Sequence, residues 1–152
     1  MRILIAIDGS EHSNEAVEMV GSRPWPQSTT VQVMSVVPKP SIIPPPPPAV
    51  VIGRAIDPAH LAEEQKAAAR SLVDSACERL RQRGVTATGY VRVGEPASTI
   101  VDSAREWSAD LIVVGSRGLT GIKRVLLGSV ALHVATHAPC SVEVVHKKAR
   151  AA

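Results

Sequence analysis

The sequence predicts an open α/β domain built on a parallel sheet, and three observations carry that expectation. Short apolar runs rich in Val and Ile recur along the chain, at Ile3–Ile7, Val31–Val37 and 111–114. The first is continuous rather than alternating, as a strand buried on both faces is. Between the runs lie segments whose apolar residues repeat at helical spacing. The fourth run breaks at Gly115 into a glycine-spaced loop, Gly115, Gly118 and Gly128-Ser129, which leads into a helix.

Taken in order, the first strand stops at Asp8-Gly9-Ser10-Glu11. Ser10 or Ser13 can cap the next helix, whose inward face is Ala16, Val17 and Val20. Gly21 is its expected stop, made firm by Pro24 and Pro26. After the second strand, residues 38–57 hold five consecutive prolines, Pro44 to Pro48. That run is a stiff polyproline II rod, in a connection long for a compact domain. It is expected to be a spacer, a lid or a docking segment. A long helix begins at Pro58, with Leu61, Gln65, Ala69, Leu72, Ala76 and Leu80 on one stripe, and ends at Gly84. Val85–Val93 is the third strand, alternating enough to sit near a sheet edge. Pro96 opens a helix with Ala97, Ile100, Val101 and Ala104 inward. Residues 110–114 form the fourth strand. Ser129 is expected to cap the last helix, which Pro139 stops, and Ser141–His146 is the fifth strand. The domain thus spans 1–147, with 38–57 as an insertion and 148–152 as a basic tail.

The 152 residues are 45% hydrophobic, enough for one core, with no Phe, so Val, Ile, Leu and Ala must fill it. The net charge of +3 and three scattered aromatics, Trp25, Tyr90 and Trp107, argue against nucleic acid. Cys77, expected within a helix, and Cys140, before the last strand, make no disulfide framework and suit a reducing cytoplasm. No run reaches the length of a membrane span. No metal ligand set is legible: His133 and His137 lie four apart on a helix without an H-E-x-x-H pattern.

Strand alternating with helix implies helices on both faces and right-handed crossovers. In the flavodoxin/Rossmann-like order 3-2-1-4-5, strands 1 and 4 are neighbours where the winding reverses, and ligands bind at their carboxyl ends. Strand 1 ends at Asp8 and strand 4 at Gly115. A helix start offers unpaired N–H groups and partial positive charge, so anions settle there. The loop is no Walker A motif, lacking Gly-Lys-Ser/Thr at the required distance, and its glycines are too far apart for the dinucleotide fingerprint. Arg117, Lys123 and Arg124 are candidate phosphate neutralisers or plain surface cations.

The spacing Gly115, two residues, Gly118, nine residues, Gly128-Ser129 resembles the ATP-binding branch of the universal stress protein family. The first turn, Asp8-Gly9-Ser10-Glu11-His12-Ser13, and the turn Gly94-Glu95-Pro96 resemble it too. The proline-rich insertion departs from it. The resemblance implies ATP, with or without Mg²⁺, held by Asp8, Gly9, Val36, Gly115, Ser116, Arg117, Gly118, Gly128, Ser129 and Val130. In it, adenine meets the Val36 main chain, ribose meets Asp8 and Gly115, and phosphates rest on Gly118, Gly128, Ser129 and Val130. It also implies a homodimer through strand 5, residues 141–146; the cytoplasm is expected from the cysteines and from the lack of a signal or spanning run. No catalytic residue is legible, since nothing in the loop orients a water. The expected role is signalling by occupancy; the rival roles are a dimeric adaptor without nucleotide and a slow ATP hydrolase or phosphotransferase.

Overall fold

A computed structural model describes residues 1–39, 58–119 and 127–147. Five parallel strands form one sheet in the order β3-β2-β1-β4-β5. They are β1 (Arg2–Ala6), β2 (Thr30–Val37), β3 (Thr86–Val93), β4 (Leu111–Gly115) and β5 (Ser141–Val145). The helices are α1 (Glu11–Ser22), α2 (Pro58–Gln82), α3 (Pro96–Trp107) and α4 (Ser129–His137). The expected α/β architecture and strand order are therefore observed, with β3 at an edge.

The two-residue period of the strands sorts their side chains into two cores. On one face Ile3, Ile5, Val31, Val33 and Val113 pack with Val17 and Val20 of α1 and Val73 and Leu80 of α2. On the other, Leu4, Met34, Ile112 and Val114 pack with Ile100, Val101 and Ala104 of α3 and Ala131 and Val134 of α4. The central strands are continuous apolar runs because both faces are covered.

Several local expectations change. Gly21 does not stop α1, which runs on to Ser22. A Cβ there would lie 2.9 Å from Cδ of Arg83, whose side chain crosses at that point. In α2 the deeply buried residues are Val73, Ala76, Cys77 and Leu80, whereas Leu61 is exposed. A helix of 25 residues is about 37 Å long at 1.5 Å per residue. It outlasts the eight-residue strands beside it, and its first half overhangs the carboxyl edge of the sheet. Cys77 and Cys140 are both free. Among the described residues no helix is long and apolar enough to cross a membrane. Residues 40–57 of the proline-rich stretch, Lys123, Arg124 and the tail 148–152 lie outside the described residues.

Candidate functional site

At the carboxyl ends of β1, β2 and β4 lies a cleft of about 1020 Å³. Its floor is Ile7, Asp8, Val36, Val37 and Val114. Gly115 to Leu119 and Leu127 to Ala131 form one wall. The overhanging half of α2 forms the other, through Gln65, Ala68, Ala69 and Leu72. Nine of the ten expected site residues line this cleft; Gly9 does not, and lies instead in the β1–α1 turn with φ of +83°. The α2 wall was not legible in sequence. Its residues sit on a helix stripe like any other, and only the overhang turns them to the cleft.

Asp8 lies two residues beyond the end of β1, with its carboxylate turned onto the chain around it. Oδ1 accepts from Ser10 N–H at 3.0 Å and Oδ2 from Leu119 N–H at 2.9 Å. A carboxylate offers about four lone-pair positions, so roughly two remain for a ligand. Gly118 is fixed by this arrangement: a Cβ there would stand 2.7 Å from Asp8 Oδ2. Gly115 is fixed by packing. A Cβ there would stand 2.7 Å from Ser13 N and 2.8 Å from His12 C, so only glycine lets the first turn of α1 close against β4.

The floor also presents main-chain groups. The last bond between β1 and β2 runs from Ile7 N–H to the Met34 carbonyl, 2.9 Å. Peptide groups two residues apart on a strand point to the same side. Those of Val36 therefore face past the end of β1, towards the cleft.

The loop after β4 is tied at several points. Ser116, fully buried, donates its N–H to Val145 O at 2.8 Å and accepts at its own carbonyl from Gly128 N–H at 2.7 Å. Ser10 Oγ donates to Arg117 O at 3.2 Å. Arg117 Nε is buried and has no hydrogen-bond partner among the described residues. The loop delivers the chain to α4, whose N-cap is Gly128, not Ser129 as expected. Gly128 is the cap because its backbone is extended, with ψ of 158°, and Ser129 is the first helical residue. Among the described residues no side chain caps this helix.

The other helix starts differ. Ser10, rather than Ser13, caps α1, accepting from Ser13 N–H at 3.2 Å. Glu95, missed in the sequence reading, caps α3 by accepting from Ala97 N–H at 3.1 Å and Ser98 N–H at 2.7 Å. The Ser98 N–H holds its carboxyl below the usual carboxylate range. His133 and His137 do share a face, their rings stacked 4.1 Å apart. Among the described residues no group of three His, Cys, Asp or Glu is placed to hold a metal ion.

The model of the universal stress protein family matches residues 1–146. The chain belongs to that family. A universal stress protein of Synechocystis sp. is 37% identical over 149 residues, covering 95% of this chain and 96% of that one. Among solved structures, hypothetical protein MJ0577 superposes with a TM-score of 0.77 at 26% identity, over 97% of this chain and 96% of that one. A universal stress protein in complex with cAMP superposes with a TM-score of 0.64 at 25% identity, over 96% of each chain.

Proposed function

We propose that this universal stress protein binds an adenine nucleotide, ATP in particular, in the cleft and acts by occupancy. The observation that carries the reading is the start of α4, a helix N-terminus with no side-chain cap among the described residues, facing a cleft whose floor holds Asp8. Orphan helix N–H groups and their partial positive charge suit phosphates. The family member solved with cAMP supports an adenine ligand. In this reading Val36 meets the base through its main chain, and Asp8 and Gly115 meet the ribose. Gly118, Gly128, Ser129 and Val130 meet the phosphates, with Arg117 balancing their charge. Gly9 shapes the turn and Ser116 anchors the loop. Mg²⁺ is not required to hold the phosphates and would travel with them. Hydrolysis is slow at most, since Asp8 is engaged by Ser10 and Leu119 and is committed to the ribose.

The domain, 1–147, carries 38–57 as an insertion that partner proteins dock on under control of the nucleotide; only a ligand with differential affinity for two states can shift them. The protein is a cytoplasmic homodimer through β5. The two sheet edges favour that choice. On β3, Arg81 covers the Ala87 carbonyl with Nε at 3.0 Å and Nη2 at 2.8 Å. On β5, Val142 and Val144 pack against the second core and stay partly exposed, at an edge that a second copy would cover. The test is to denature purified protein and identify the released nucleotide by chromatography, then to titrate ATP, ADP and AMP calorimetrically. No uptake of any adenylate by folded protein sinks the reading.

A further inference from the structure

His12, in the first turn of α1, has one ring nitrogen turned to two separate parts of the chain. Its Nδ1 lies 2.9 Å from the backbone N of Lys147 and 3.1 Å from Ser116 Oγ. A backbone N–H can only donate, so Nδ1 is an acceptor and carries no proton. The neutral ring is then the Nε2–H tautomer, and the Ser116 hydroxyl donates to the same lone pair. Ser116 is the hub of the loop after β4, bonded to Val145 on one side and to Gly128 on the other. Lys147 is the chain just beyond β5, and its Nζ pairs with Glu11 at 2.7 Å. One imidazole lone pair thus joins α1, the loop that leads to α4, and the segment after the edge strand.

We infer that His12 is a positioning residue: its unprotonated Nδ1 clamps the Ser116 loop and the Lys147 segment into the arrangement that presents the start of α4, and proton uptake opens the clamp. A proton on Nδ1 turns an acceptor into a donor aimed at another donor, so the Lys147 bond is lost. The surroundings decide the direction of the switch. Burial lowers the affinity of His12 for a proton, as do the charge of Arg117 and then His146, whose ring centroid stands 6.5 Å away. Glu11 opposes them, with Lys147 acting against it. A histidine held below its ordinary range contributes stability that is whole above that range and is lost as the pH falls through the lowered value. Anion capture by this loop therefore weakens on acidification, although the added positive charge would by itself attract a phosphate more strongly.

The ligand in this inference rests on the nucleotide reading; the clamp does not. Two variants separate acceptor from proton. His12→Asn keeps an oxygen acceptor near the place of Nδ1 and cannot titrate, whereas His12→Leu removes the acceptor. ATP titrations are run at pH 8.0 and 5.5 on both variants and the unaltered protein, so that titration of the ligand cancels. One hydrogen bond is worth about 1 kcal/mol, or about fivefold in binding. The unaltered protein should lose about fivefold more affinity on acidification than His12→Asn, and His12→Leu should bind weakly at both values. Protection of the Lys147 and Gly128 amides from exchange, measured without ligand, should fall on acidification only when His12 is present as histidine. If no variant binds nucleotide but that protection falls as described, the nucleotide reading fails and the clamp stands. Equal pH dependence of amide protection in the unaltered protein and His12→Asn overturns the clamp.

Discussion

α3 and α4 lie side by side on one face of the sheet, and their first turns are completed in opposite ways. The four leading N–H groups of any helix lack partners within it. At α3, Glu95 supplies the acceptor and the negative charge from within the chain, and Ser98 Oγ adds a bond to the same carboxylate at 2.8 Å. At α4 the corresponding position is Gly128, which has no side chain to offer. Both starts border the cleft, α3 through Pro96 and α4 through Gly128 and Ser129, but the α3 donors are already taken by Glu95. An internal carboxylate satisfies a helix at the cost of excluding an anion, so a helix meant to hold phosphate is best left without one.

The largest break in that contrast comes from Gly118→Val. The new side chain meets the Asp8 carboxylate before it reaches any ligand. Calorimetry should show ATP affinity down by at least about a hundredfold, the loss of several ligand contacts worth ~1 kcal/mol each. Retention of wild-type affinity would remove Asp8 and Gly118 from the site.

Gly128→Asp would rebuild α4 in the manner of α3. The carboxylate competes for the donors that a phosphate needs, and ATP binding should weaken about tenfold or more, a charge effect of ~1–2 kcal/mol. The free protein should gain no more than the ~1 kcal/mol of an ordinary cap. Its Cβ would lie 3.3 Å from the Ser116 carbonyl, and that crowding offsets part of the gain. Tighter ATP binding in this variant would contradict the assignment of α4 as the phosphate end.

Glu95→Ala makes the reciprocal change. Chemical denaturation should record a loss of about 1 kcal/mol with nucleotide affinity unaltered, because Glu95 itself does not line the cleft. Its pH dependence is the smallest of these effects. Glu95 titrates below the ordinary carboxylate range in the folded protein, so its stabilisation is complete above that range and is lost as the pH falls through the lowered value. The gap between the two proteins should therefore close on acidification below about pH 4.3, the unfolded glutamate value. A gap that widens there would mean that Glu95 does not cap α3 as a carboxylate.

The comparison also marks what could be read from residues alone. Pro96 announced a helix start, but the acceptor one place earlier was passed over, since Glu is a less usual cap than Ser or Asp. Ser129 looked like a cap because a small hydroxyl residue stood before an apolar run. The structure assigns the cap to Gly128, whose backbone is extended and whose N–H bonds to Ser116, twelve residues back along the chain. Gly118 stood out as a glycine of the phosphate loop, and its second demand, room for the Asp8 carboxylate 2.7 Å from any Cβ, shows only in the structure. His12 was in plain view beside Asp8, yet nothing local says that residue 147 ends beside it.

The sequence alone determined the alternation of strand and helix, the strand order and the convergence of Asp8 with the glycine loop at one end of the sheet. Those follow from the local period of apolar residues and from the handedness of crossovers, which operate over short stretches of chain. Only the tertiary structure decided which helix starts are closed, that α2 overhangs the sheet to wall the cleft, and that one imidazole joins α1, Ser116 and Lys147. Each of these depends on where distant segments meet. A hydrogen bond reaches about 3 Å in space, whatever the separation along the chain.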